Sequence, residues 1–210
     1  MTLFFIFLKH ELLCMSRNYS KIIQVILFFI MSCFVFLLIS QSIDNTFNKE
    51  VFFKIIIWMS MLYSFFISSS FLWKQDFEDG SIEQFISACE NLEIYTASKM
   101  VANWLVFLLP ISVIAILINY LVEVGENKSQ SFLCSLILST VAINFICGFC
   151  SVLEAASNRA FLLAIIAMPL TLPIILLSFI GANDLLFGIA VISILLSCFL
   201  SAYIIKIIAE

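Results

Sequence analysis

Residues 73–99, WKQDFEDGSIEQFISACENLEIYTASK, are the most polar long stretch of an otherwise greasy chain, and what flanks them decides the fold. Six of the 14 acidic residues fall here: Asp76, Glu78, Asp79, Glu83, Glu90 and Glu93. On either side lie apolar runs, residues 51–72 and 100–122, each long enough to cross the roughly 30 Å hydrocarbon layer as a helix of about 20 residues. The stretch therefore reads as a loop between two membrane spans.

The rest of the chain follows the same logic. It has 210 residues, of which 63% are hydrophobic and only 11% charged. Soluble domains carry about 25% charged residues, so this apolar excess has no single soluble core in which to bury itself. Six stretches meet the spanning criterion: 22–41, 51–72, 100–122, 132–153, 160–181 and 185–207. The joints after the fourth and fifth are short enough to force antiparallel hairpins. The expected fold is an all-α integral membrane protein, one six-span domain over residues 1–210.

The opening turns, TLFFIFLKHELLCMSRNYSK, behave differently. Their apolar run, Leu3–Leu8, is too short to span, and basic residues follow it rather than precede it, the reverse of a secretory signal. An amphipathic helix lying in the membrane interface is expected. With both termini cytoplasmic, that side holds Lys9, Arg17, Lys21, Lys74, Lys99, Arg159 and Lys206. The other side holds only Lys49, Lys54 and Lys128. The positive-inside rule favours this orientation, which puts 73–99 in the cytoplasm.

Within the loop, Gly80 ends one turn and Ser81 opens another. Ser81 with Gln84 has the spacing of a capping box, and Glu83 sits in the first turn, where the helix dipole favours an acid. Ile82, Phe85, Ile86 and Cys89 make one apolar stripe. Cytoplasmic lipid surfaces are negative and repel such an acidic helix, so a basic protein surface is the expected neighbour.

Several chemistries are excluded. The net charge of −4, scattered among apolar runs, does not suit nucleic acid. No G-x-x-x-x-G-K-[ST] stretch exists to cradle ATP, and no His/Cys cluster suits zinc. Cys147-Gly-Phe-Cys150 lies inside an apolar helix, where small-residue packing is expected rather than thiol chemistry. His10 is the only histidine and is expected to be solvated. Asn103, Asn119 and Asn144 are expected to form interhelical hydrogen bonds. Trp73 and Trp104 bracket the loop as interface anchors, and Glu154 is placed to pair with Arg159. Pro110, Pro169 and Pro173 lie in spans; for the 169–173 pair, a static kink and a hinge both stand.

Two blocks carry a family resemblance. DGS-x-EQ (Asp79, Gly80, Ser81, Glu83, Gln84) with SKMVANW opening the third span, and P-L-T-x-P (Pro169, Leu170, Thr171, Pro173) within MPLTLPIILLSFIGA, resemble the CcmB family of haem exporters. These are permease subunits of the ATP-binding-cassette (ABC) complex of cytochrome c maturation. The resemblance implies an ABC-2-type permease with no catalytic residue and no cofactor bound by a motif of its own. ATP would be hydrolysed on a CcmA-like partner subunit. Haem would be the substrate, or the ATP step would release a loaded periplasmic haem chaperone, with other membrane subunits handling haem. Asp76, Glu78, Asp79, Gly80, Ser81, Glu83, Gln84 and Phe85 would form the coupling helix in the ATPase groove. Two copies per complex are expected. The rival readings are an exporter of lipid, drug or polysaccharide, and a membrane scaffold that moves nothing.

Overall fold

The computed structural model describes residues 2–41, 49–88, 92–122, 129–157, 159 and 161–209. Among the described residues there are ten α-helices, one π-helical turn and no strand. The protein is an all-α multi-pass membrane protein.

Helix α1 (Thr2–Arg17) and α2 (Tyr19–Gln41) meet at Asn18 with a bend of 73°. The 23 residues of α2 reach about 35 Å at about 1.5 Å per residue, and α1 and α2 together are apolar enough to make one bent span. The polarity of α1 is inverted relative to a soluble surface helix. Leu3, Phe5, Ile6 and Leu13 point out, whereas Glu11 is buried. Such a helix suits an apolar surround on its outer face.

The remaining spans are α3 (Lys49–Ser70), a broken third span, α8 (Ser129–Ser157), α9 (Leu162–Ile180) and α10 (Asn183–Ala209). The third consists of α6 (Leu92–Asn103), the π turn Trp104–Leu108 and α7 (Leu109–Val122). Pro110 accounts for the π turn. It has no N–H to give the carbonyl four residues back, and its ring would clash there in a regular helix. Widening the preceding turn relieves this, and Leu109 N–H bonds Trp104 O, five residues back. Between α3 and α6 sit two short helices, α4 (Lys74–Glu78) and α5 (Ser81–Ala88). The expected loop 73–99 thus ends early: α6 is helical from Leu92, well before residue 100. The joints at 42–48 and 123–128 lie outside the described residues.

The bundle is centred on α8. Two thirds (67%) of its apolar window is buried inside the bundle, against 28% for α9, which turns most of its surface outward. Apolar side chains gain little from packing together in lipid, so close approach and polar links hold such helices. Gly148 shows the first: a Cβ there would sit 3.1 Å from Met100 of α6. Asn103 Nδ2 shows the second, donating to Asn144 Oδ1 at 2.8 Å, while Asn144 Nδ2 donates to the Met100 carbonyl at 2.9 Å. Cys147 and Cys150 are buried free thiols in this seam, as packing residues should be.

At the α9–α10 joint, Gly181 adopts φ +78°, and its N–H reaches the carbonyls of Leu177 and Ser178. This left-handed cap ends one helix and starts the next within two residues. Pro169 and Pro173 lie inside α9 without interrupting it, both on its exposed face.

Candidate partner-docking site

Helix α3 stops at Ser70, and a turn delivers Trp73 into the bundle. Its indole is fully buried and donates to the Gly148 carbonyl of α8 at 3.2 Å. Trp104 is half-buried and donates to Thr140 Oγ1 at 3.3 Å. Neither is an anchor at the headgroup level, as the sequence suggested. Their N–H groups find partners inside the protein, which an apolar surround demands of any buried donor.

From Trp73 the chain runs through α4, reverses at Gly80 (φ +68°) and enters α5. A left-handed residue here is strained for any side chain, which is why glycine stands at the turn. The Ser81 hydroxyl donates back to the Asp76 carbonyl at 3.3 Å, tying α5 to α4; the helix itself begins at Ser81. The other half of the expected capping box, the Gln84 side chain, lies outside the described residues, as do Cys89 and Glu90.

The apolar stripe of α5 turns inward. Ile82 is buried, and Phe85 and Ile86 pack on a cluster containing Trp73, Tyr95 and Val152. The Phe85 ring stacks on Tyr95 at 4.5 Å between centroids, with Phe7 of α1 edge-on to both. Phe85 therefore fastens α5 to α1 and α6 rather than facing outward.

The acids divide. Glu78, Asp79, Glu83 and Glu93 are exposed. Glu78 lies 3.9 Å from Lys74, with both side chains more than 60% exposed; pairs of this kind contribute only a few tenths of a kcal/mol. Asp79 and Glu83 carry no ion pair among the described residues. Asp76 goes the other way. Its carboxylate meets the Lys99 ammonium and accepts from the Tyr95 hydroxyl at 3.0 Å. Lys99 is 3% exposed, and Glu11 of α1 approaches it at 3.7 Å. The ammonium also lies over the Trp73 and Tyr95 rings, 5.0 and 5.6 Å from their centroids, a cation–π arrangement.

The chain thus presents an outward acidic face, Glu78, Asp79 and Glu83, on a platform whose underside is apolar and clamped by buried charges. That platform closes a cavity of about 390 Å³ lined in part by His10, Arg17, Lys21, Gln75 and Asn103. His10 itself is exposed, as expected. Glu154 does not pair with Arg159; it shares a second cavity with Lys74 and Glu78, because α4 packs on the end of α8 and reaches Glu154 first. Sequence reading missed the Glu11–Lys99–Asp76 cluster. Its one signal is an ionisable residue at the entry to an apolar helix, but its partners come from three distant segments.

Comparison with known proteins agrees with the motif pattern. The family model described as CcmB protein matches residues 1–207. The chain belongs to the CcmB family. Among curated relatives, "Heme exporter protein B" of Haemophilus influenzae is 25% identical over 170 residues, covering 80% of this chain and 76% of that protein. The protein of the same name from Pseudomonas aeruginosa is 27% identical over 58% of this chain and 55% of its own length. That of Paracoccus denitrificans is 30% identical over 56% of this chain and 55% of its own. The matched stretch thus spans about three quarters of the first relative and about half of the other two. The acidic platform and the broken third span belong to this CcmB-family chain's bundle, and no group of metal-ligating residues occurs among the described residues.

Proposed function

We propose that this chain is the permease subunit of an ABC transporter that delivers haem for cytochrome c maturation, and that it is not itself a catalyst. Three unneutralised or weakly paired acids, Glu78, Asp79 and Glu83, stand on the exposed side of a two-helix platform rooted in the bundle. This is the observation that carries the reading. A face of that sign is repelled by anionic lipid and complementary to a basic groove on a cytosolic protein. A CcmA-like ATPase subunit docked there would supply the energy, since the chain has no phosphate-binding loop. The names of the relatives supply the cargo class: haem, moved directly or through release of a loaded periplasmic chaperone with the help of haem-handling membrane subunits.

In this reading both termini and the α4–α5 platform are cytoplasmic, the membrane is the bacterial inner membrane, and two copies meet two ATPase subunits. Pro169 and Pro173, with two backbone N–H groups missing within one turn of α9, serve as a hinge in the cycle. Purification from mild detergent tests the whole. An ATP-hydrolysing subunit and haem pigment should accompany the chain, and a cytosol-side reagent should label residue 83 when it is changed to Cys. An assembly with no ATPase, or labelling from the outer face, overturns the proposal. Replacing both prolines with Ala should leave assembly and ATP hydrolysis intact while cytochrome c maturation stops; normal maturation would remove the hinge.

A further inference from the structure

The Lys99 cluster has no obvious use as a source of stability. Taking three charges out of water costs more than their attraction readily returns, and well-packed apolar residues commonly hold a buried site as firmly. What charges supply and apolar contacts do not is register: an ammonium with three donors can be satisfied only where its partners converge. Here the partners come from three separate elements. Glu11 lies on α1 at 3.7 Å, Asp76 on α4, and the Tyr95 hydroxyl on α6 donates to Asp76 at 3.0 Å and accepts from Lys99 at 3.4 Å. One helical turn beyond Lys99, Asn103 continues the polar path to Asn144 of α8.

Helices α1 and α6 are joined a second time, and α5 with them, by rings: Phe7 of α1, Phe85 of α5 and Tyr95 of α6. A cavity of about 390 Å³ opens between this group, the start of α2 and the end of α3, bridged where the Lys21 ammonium of α2 donates to Gln75 Oε1 at 3.4 Å. The close-packed side and the open side together describe a body that holds its own shape and has room beside it.

We propose that Lys99 is a positioning residue that locks α1, the α4–α5 platform and α6 into one lever, so that displacement of the platform is delivered to the third span. The inference rests on the ATPase-docking reading above. Force applied at Glu78, Asp79 and Glu83 acts on α4, α5 and the turn between them; without the lock, the platform could shift while α6 stayed where it is.

The test uses the full chain in its complex with the ATPase subunit. In Lys99→Met/Glu11→Gln/Asp76→Asn, every buried charge is removed together, so none is left without a partner. The number of ATP molecules hydrolysed per cytochrome c matured should rise roughly tenfold or more, the size of an ordinary coupling between sites. An unchanged ratio, whether both activities persist or both fall in proportion, overturns the lever.

A second measurement does not depend on that variant folding. Spin labels on Lys74→Cys of α4 and Glu93→Cys of α6, with Cys14, Cys89 and Cys134 changed to Ser, report their separation without nucleotide and in the vanadate-trapped state. The lever predicts a constant distance, to within the roughly 1–2 Å typical of small helix shifts; a larger change on trapping overturns it. If the wild-type assembly hydrolyses no ATP, it is the docking reading that falls. If it hydrolyses ATP but the ratio of the triple variant is normal, only the lever falls.

Discussion

Glu78 and Asp76 are two positions apart on one short helix, yet they live in different solvents. Glu78 projects outward beside an equally exposed Lys74. Asp76 turns into the bundle and meets a lysine that is 3% exposed. The outward acids can be changed with little effect on the fold, because water and counter-ions already satisfy them. The inward acid belongs to a set whose members are costly to leave alone, because each is largely withdrawn from water. The same residue type is thus a surface signal in one place and a structural joint in the other, and only the direction of the side chain separates them.

The largest expected effect comes from breaking the inward set by one member. Lys99→Met leaves Glu11 and Asp76 without the ammonium that joins them, and should cost about 3–5 kcal/mol. A sharp loss of monodisperse protein in detergent checks it, and retention of wild-type melting would abolish the contrast drawn here. Next is the outward set. Glu78→Lys/Asp79→Lys/Glu83→Lys should weaken capture of the ATPase subunit by at least about tenfold, near 1.4 kcal/mol, while leaving the melting temperature of the isolated chain in place. Binding titrations at two salt concentrations separate this from misfolding, since docking through exposed charges weakens as salt rises.

A smaller effect belongs to the polar seam between the two. Asn144→Leu removes the acceptor for Asn103 and the donor to Met100, and should lower stability by about 0.6–2 kcal/mol, read as a lower detergent melting point. Least of all is Glu78→Gln alone. Its pair with Lys74 is exposed, so the change should lie within about 0.5 kcal/mol. A large loss of stability there would show that the outward face is not a solvated surface after all.

How much of this was legible beforehand varies by element. The spans of α8, α9 and α10 could be read within a few residues, because an apolar run of about twenty residues suits little besides a membrane crossing. The 73° elbow at Asn18 was foreshadowed by Lys9, His10 and Glu11 cutting short the first apolar run. The start of α6 was not legible: Leu92–Lys99 mixes polar with apolar residues, and it is held as helix where Tyr95 reaches Asp76 of α4 and Thr96 reaches the Cys198 carbonyl of α10. Of the residues expected to dock a partner, Gly80 stands at the expected turn and Glu78, Asp79 and Glu83 at the surface, as a loop between spans suggests. Asp76 and Phe85 turned inward because Lys99 and Tyr95 were waiting there, a fact about neighbours 23 and 10 positions away rather than about local pattern.

Hydrophobicity along the chain was enough to establish a helical membrane protein and the place where its polar platform emerges, since lipid tolerates so few alternatives for an apolar backbone. Family membership could also be read there, in two short blocks. Which acids face outward and which turn in to Lys99 was decided only when α1, α4 and α6 converged. Charge pairing depends on distance in space, and residues 11, 76 and 99 become neighbours only in the folded chain.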